Sequence, residues 1–122
     1  MNALKLLKHP NILQTVDILM TKNNVYIVTE FCEGGDLLKH IKSNGPFPEA
    51  KALALIKDIA EGYKCIEENN IIHRDLKTSN IFLSKGRAKI ADFGFCEFLG
   101  EKKPQIAYNV GSPAYMSPES YK

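Results

Sequence analysis

Ile71-Ile72-His73-Arg74-Asp75-Leu76-Lys77-Thr78-Ser79-Asn80-Ile81-Phe82-Leu83, followed downstream by Asp92-Phe93-Gly94, is the stretch of this chain whose reading decides the fold. Ile71-Ile72, Ile81-Phe82-Leu83 and Ala88-Lys89-Ile90 read as short strands, and Ser84-Lys85-Gly86-Arg87 supplies the turn between the second and third. The charged block from His73 to Asn80 therefore hangs between strands, a rigid frame for a loop that carries chemistry. The types His, Arg, Asp, Asn, Asp, Phe and Gly at these offsets would recur by chance about once in a billion, with each type at roughly 5% frequency. Coincidence is a poor account of them.

The order and spacing resemble the catalytic loop and the magnesium-binding loop of eukaryotic protein kinases. The resemblance implies phosphoryl transfer, which asks a protein for positioning and charge neutralisation more than for covalent work. It implies Asp75 as the carboxylate for the attacking hydroxyl and Lys77 as the cation that neutralises the transferring phosphate. Asn80, in an irregular loop, would aim an amide oxygen at a metal ion, and Asp92, with Phe93 and Gly94, would give the main carboxylate to it. The cofactors implied are ATP and Mg2+, a hard cation that prefers oxygen ligands.

Within that family the chain resembles the serine/threonine branch, so the implied partners are protein substrates bearing Ser or Thr. Lys77 is the type that branch carries, and Gly111-Ser112-Pro113-Ala114-Tyr115-Met116-Ser117-Pro118-Glu119 resembles the end of its activation segment, with Ser117 where Ala is common. Gly-Ser-Pro-x-Tyr-Met is similar to the Unc-51-like kinases and Lys-Thr-Ser-Asn-Ile-Phe-Leu to the NIMA-related ones; both stay open.

With 122 residues, 44% hydrophobic and 25% charged, the composition is that of one folded domain without low-complexity segments. A net charge of +2 is too small to argue for nucleic acid or an anionic membrane. No run approaches the roughly 20 apolar residues of a membrane span, and no secretory pattern follows Met1. Cys32, Cys65 and Cys96 are scattered and without metal spacing, which reads as reduced thiols in a cytoplasmic or nuclear setting.

Asn2 to Lys8 reads as the tail of a helix stopped before Pro10. Ile12 to Leu19 and Val25 to Phe31, separated by Thr21-Lys22-Asn23-Asn24, read as a hairpin. Asp36, after Gly34-Gly35, can cap a short helix to about Lys42. Glu49 to Glu68 carries Leu53, Ile56, Ile59, Ala60, Tyr63 and Ile66 at helical spacing, a stripe read as core packing.

The resemblance places more roles. Thr29-Glu30-Phe31-Cys32 matches the hinge, with Thr29 a small gatekeeper and main-chain groups of Glu30 and Cys32 facing adenine; Asp36 matches the acidic position at the ribose, and Phe82 the apolar floor beneath adenine. The implied fold class is α+β, a partial protein-kinase-like fold. It would run from the end of the small-lobe helix through that lobe's fourth and fifth strands and the hinge to the large lobe. There it would comprise two helices, the catalytic loop, the sixth to eighth strands and the activation segment. Residues 1–122 would form one truncated domain, 1–31 a remnant of the small lobe and 32–122 the first part of the large one. No Gly-x-Gly-x-x-Gly occurs, and the lysine and glutamate that fix ATP in the small lobe have no counterpart. Three readings follow. The residues come from an active serine/threonine kinase and are inactive alone; or they form a truncated, non-catalytic binding module; or another chain supplies the missing lobe.

In similar kinases Arg74 receives an activation-segment phosphate. Between Asp92 and Ser112 this chain has no Ser or Thr, and Tyr108 stands where the regulatory threonine would be. The expectation is activity without phosphorylation there. Ser112 would bond within the active site, and Glu119 would close the segment.

Overall fold

The computed structural model describes residues 5–94, 96–99 and 111–121, with nothing said of the Tyr121 side chain. Of the expected first helix, Lys5 and Leu6 are helical; Leu7 is buried in the core. Strands β1 (Thr15–Met20) and β2 (Val25–Thr29) pair antiparallel, with Ile18 opposite Ile27. The turn is closed as its residues suggest, Thr21 N donating to Asn24 O (2.8 Å) and Asn24 N to Thr21 Oγ1 (3.1 Å). The hairpin begins later than the sequence implies. Ile12 instead bridges Ile90 in parallel, because Asn11 O accepts from Ile90 N and Leu13 N donates to Ile90 O, both at 2.9 Å. Val25, Tyr26 and Ile27 of β2 are exposed, while Thr15, Asp17 and Ile18 of β1 are partly buried.

Helix α1 (Leu37–Asn44) starts at the expected cap: Asp36 Oδ1 accepts from Lys39 N at 2.9 Å. It stops at Gly45, whose φ of 77° suits a residue without Cβ. Helix α2 spans Glu49–Glu68, as the periodicity predicts.

The expected stripe is buried at Ile66 and partly at Ile59, but the rest of the buried face differs from it, and this corrects the reading at Leu53, Ile56, Ala60 and Tyr63. Leu55, Asp58, Gly62 and Ile66 point inward with Ile59 partly covered, while Leu53, Ile56 and Tyr63 are exposed. The inward face is chosen by backbone approach and charge. A Cβ at Gly62 would lie 2.6 Å from Asn11 O, so only glycine lets that segment run against the helix. Asp58 accepts from Arg87 Nη2 (2.7 Å) and from the buried Ala88 N–H (3.1 Å).

Strand β3 (Ile71–Ile72) leaves α2 and pairs antiparallel with β6 (Glu97–Phe98). Strands β4 (Ile81–Ser84) and β5 (Arg87–Ile90) form an antiparallel hairpin. Lys85 and Gly86, at φ 50° and 75°, make the two-residue turn with both φ positive that matches strand twist. Two flanking segments extend this hairpin. Gly34 and Gly35 exchange hydrogen bonds with Leu83 on one edge, and Asn11 to Leu13 lies along Ile90 on the other. Ile12, Leu55, Ile66, Ile81, Leu83 and Ile90 fill the space between this layer and α2. The result is the expected α+β arrangement, with the loops after β3 and β5 projecting from one rigid frame.

Candidate active site

The loop after β3 is organised around His73, which is fully buried. Asp75 N donates to its Nδ1 at 3.2 Å, so the ring proton sits on Nε2, which donates to Ala91 O at 2.8 Å. The ring also packs edge-on against Phe93, with centroids 5.1 Å apart. One imidazole thus ties the loop bearing Asp75 to the loop bearing Asp92. Arg74 and Asp92 sit at φ 67° and 57°, the left-handed region that is costly for non-glycine residues and common at functional sites.

Asp75 is buried and anchors a polar cluster. Its Oδ1 accepts from Ser112 Oγ at 2.9 Å, and its Oδ2 accepts from Asn80 Nδ2 at 3.1 Å. Lys77 Nζ donates to Ser112 Oγ at 2.6 Å and lies 3.6 Å from Asp75 Oδ2. Asn80 Nδ2 also reaches Asp75 O at 2.8 Å. Both ends of the chain's functional stretch therefore meet: residues 75, 77 and 80 from the loop after β3, and Ser112 from far downstream. Of these, Asp75 and Ser112 line a cavity of about 430 Å3 shared with Tyr63, Tyr115 and Met116.

Asn80 directs its amide nitrogen at Asp75, so the end it can offer a cation is Oδ1. Asp92 Oδ1 accepts from Gly94 N at 3.1 Å. An amide oxygen and a carboxylate oxygen are hard donors, a set that fits Mg2+. Asp92, Phe93 and Gly94 line a second cavity, about 390 Å3, together with Thr29 and Ile27 of β2.

Gly34 to Asp36 lie along β4. Asp36 and Phe82 form a backbone bridge, Phe82 is half-buried, and Cys32 is buried with its carbonyl accepting from Gly35 N at 3.2 Å. Glu30 is fixed by groups that its sequence position did not reveal. Its Oε1 accepts from Lys89 Nζ and Gln14 N, each at 2.9 Å. Burial works against the Glu30 carboxylate, but these two donors outweigh it and hold its pKa below the usual value. Burial, followed by the Glu30 charge, pushes the Cys32 thiol up, and burial does the same for Cys65 and Cys96; all three are unpaired thiols.

Arg74 Nη1 pairs with Glu97 Oε2 at 3.1 Å, a contact whose residues are too far apart in the sequence for any local pattern to give it. Gly111 is required beside it: a Cβ there would sit 2.6 Å from Arg74 O, and its φ is 112°. Tyr115 Oη and Thr78 Oγ1 are 3.0 Å apart, a second link between the loop and the downstream segment. Glu119 is exposed in a 3-10 turn over Pro118–Tyr121. Tyr108 lies outside the described residues. Among the described residues no helix is long and apolar enough to cross a membrane.

A loop carboxylate held by lysine, asparagine and serine, joined to a second acidic loop through one histidine, matches the class of protein the sequence motifs indicated. The protein kinase domain family model matches residues 1–122, and the chain belongs to that family. It is 40% identical over 120 residues to the serine/threonine-protein kinase ATG1c of Arabidopsis thaliana, covering 95% of this chain and 16% of that protein. It is 39% identical over 123 residues to serine/threonine-protein kinase atg1 of Dictyostelium discoideum, covering 95% of this chain and 18% of the relative. Against serine/threonine-protein kinase SIK2 of Gallus gallus it is 38% identical over 120 residues, 98% of this chain and 15% of the relative. The ATG1 matches agree with the Unc-51-like resemblance of the activation-segment motif.

Proposed function

We propose that these residues belong to a domain that phosphorylates serine and threonine hydroxyls of proteins with Mg·ATP. The observation that carries this reading is the Asp75 carboxylate held between Ser112 Oγ, Lys77 and Asn80 in the lining of a cavity. A substrate hydroxyl entering there hydrogen-bonds to the Asp75 carboxylate beside Ser112 and gives its proton to that carboxylate as it attacks the γ-phosphorus; the bond to the ADP oxygen breaks. Lys77 neutralises charge on the transferring group. Asn80 and Asp92 would hold Mg2+, which supplies charge neutralisation on the phosphates. The hinge backbone at Glu30 and Cys32 presents hydrogen bonds to adenine beneath gatekeeper Thr29, with Phe82 as the floor and Asp36, beyond its capping role, at the ribose.

In this reading residues 1–31 are the small-lobe part of the domain and 32–122 the start of the large lobe. Residues 1–122 alone carry no glycine-rich phosphate loop, so purified they should transfer no phosphate above background. Three unpaired thiols support a cytoplasmic or nuclear setting.

The test uses a complete kinase domain that carries residues 1–122. Asp75→Asn should nearly abolish turnover and spare nucleotide affinity, because Asp75 acts on the hydroxyl and not on ATP. Asp92→Asn should also weaken Mg·ATP binding. Equal loss of ATP affinity in both variants would contradict the assignment, as would products dominated by phosphotyrosine.

A further inference from the structure

We infer that Glu97 is a positioning residue for Asp75: its carboxylate holds Arg74 in the place where a charged activation-segment group would otherwise be needed. The inference rests on the proposed phosphotransfer. Arg74 immediately precedes Asp75 and sits at φ 67°, so its backbone must be held against a steric preference, and the side chain is where a hold can be applied. Glu97 applies it. The pair closes at 3.1 Å with side chains only 19% and 31% exposed, which shields the contact from solvent compared with a surface ion pair.

Glu97 is itself anchored. It lies in β6 opposite Ile72, the residue before His73, and Leu99 N donates to Asn70 O at 2.7 Å just beyond the ladder. The carboxylate is thus fixed to the strand from which Arg74 emerges, and the guanidinium is gripped from its own sheet. On the other side Gly111 lies against the Arg74 carbonyl, so the downstream segment is seated on the residue that Glu97 restrains. No Ser or Thr occurs between Asp92 and Ser112. A built-in carboxylate and a segment without Ser or Thr are two independent observations that point the same way: Arg74 is neutralised by this chain's own glutamate and its seating of Asp75 needs no phosphoserine or phosphothreonine.

The test measures kcat and KM in a complete kinase domain carrying residues 1–122, with the phosphorylation state of the segment read by intact mass. The wild-type domain should turn over a Ser/Thr peptide with no phosphate between residues 93 and 111. Glu97→Gln should lower kcat about ten- to a hundredfold, the size of one hydrogen bond to a charged group, and leave the KM for ATP unchanged. Glu97→Asp should recover part of the loss. In an Arg74→Ala background Glu97→Gln should do nothing further, since its effect runs through Arg74. Thermal melts of each variant separate this from unfolding. A wild-type domain without phosphotransfer would refute the proposed function itself. An active wild type whose kcat survives Glu97→Gln, or falls equally in both backgrounds, would overturn the role of Glu97 alone, as would activity that appears only after phosphorylation of the segment.

Discussion

Replacing Asp58 by alanine should destabilise residues 1–122, and the larger share of the loss should come from a backbone amide rather than from the ion pair. Asp58 accepts from Arg87 Nε (3.1 and 3.0 Å) and Nη2 (2.7 Å), and from Ala88 N (3.1 Å). The Arg87 side chain is 61% exposed, so this bidentate pair is screened and contributes about 0–1 kcal/mol. Ala88 is fully buried, and leaving its N–H without an acceptor costs about 1–3 kcal/mol. Asp58→Ala should therefore cost about 1–4 kcal/mol in urea unfolding followed by circular dichroism. Asp58→Asn keeps an acceptor oxygen for Ala88 and lets Arg87 swing into water, so it should cost about 1 kcal/mol. The pH dependence has a definite sign. The Arg87 hydrogen bonds, opposed by burial and helped by Ala88 N–H, hold the Asp58 pKa below its ordinary value. The contribution is thus complete above the unfolded value near ~4 and disappears as pH falls through the depressed folded value. Asp58→Asn should remove that part of the acid sensitivity. Equal costs for alanine and asparagine, or an unchanged acid slope in the asparagine variant, would refute the reasoning.

Gly62→Ala should lower the melting temperature by the equivalent of about 1–3 kcal/mol, because the new Cβ meets Asn11 O, a backbone atom fixed by Ile90 N. In a complete domain Ser112→Ala should reduce kcat about ten- to a hundredfold with the KM for ATP little changed, since the hydroxyl bridges Lys77 Nζ and Asp75 Oδ1. Tyr108→Phe should retain most activity in the same assay; stoichiometric phosphotyrosine at Tyr108 together with loss of activity in the variant would show a switch worked by another kinase.

Local signals in this sequence are strong where the chemistry is local. The cap at Asp36, the bounds of α2, the turn at Thr21 to Asn24 and the Lys85-Gly86 turn each follow from a few neighbouring residues, and each stands in the fold. The contacts around Asp75 could be anticipated in part, since Lys77 and Asn80 are its close neighbours in sequence. What could not be read is which side of a helix turns inward when two sides are apolar. Periodicity puts Leu53, Ile56 and Tyr63 in one stripe with Ile59 and Ile66 and passes over Leu55, whereas the buried face is set by Asn11 and Arg87, which approach from elsewhere in the chain. The same limit hid Glu30 with Lys89 and Arg74 with Glu97, pairs joined only after the strands are in register. Strand β6, two residues long, has no periodicity to detect.

The buried His73 ring, bonded to Asp75 N on one edge and Ala91 O on the other, has a consequence of the kind a machinist would recognise. Two parts measured from separate reference surfaces accumulate the errors of both; two parts located from one datum do not. Asp75 and Asp92 arrive on different loops, yet the backbone at Asp75 and at Ala91, the residue before Asp92, is located from the same imidazole. A single ring thus sets the spacing of the two loops.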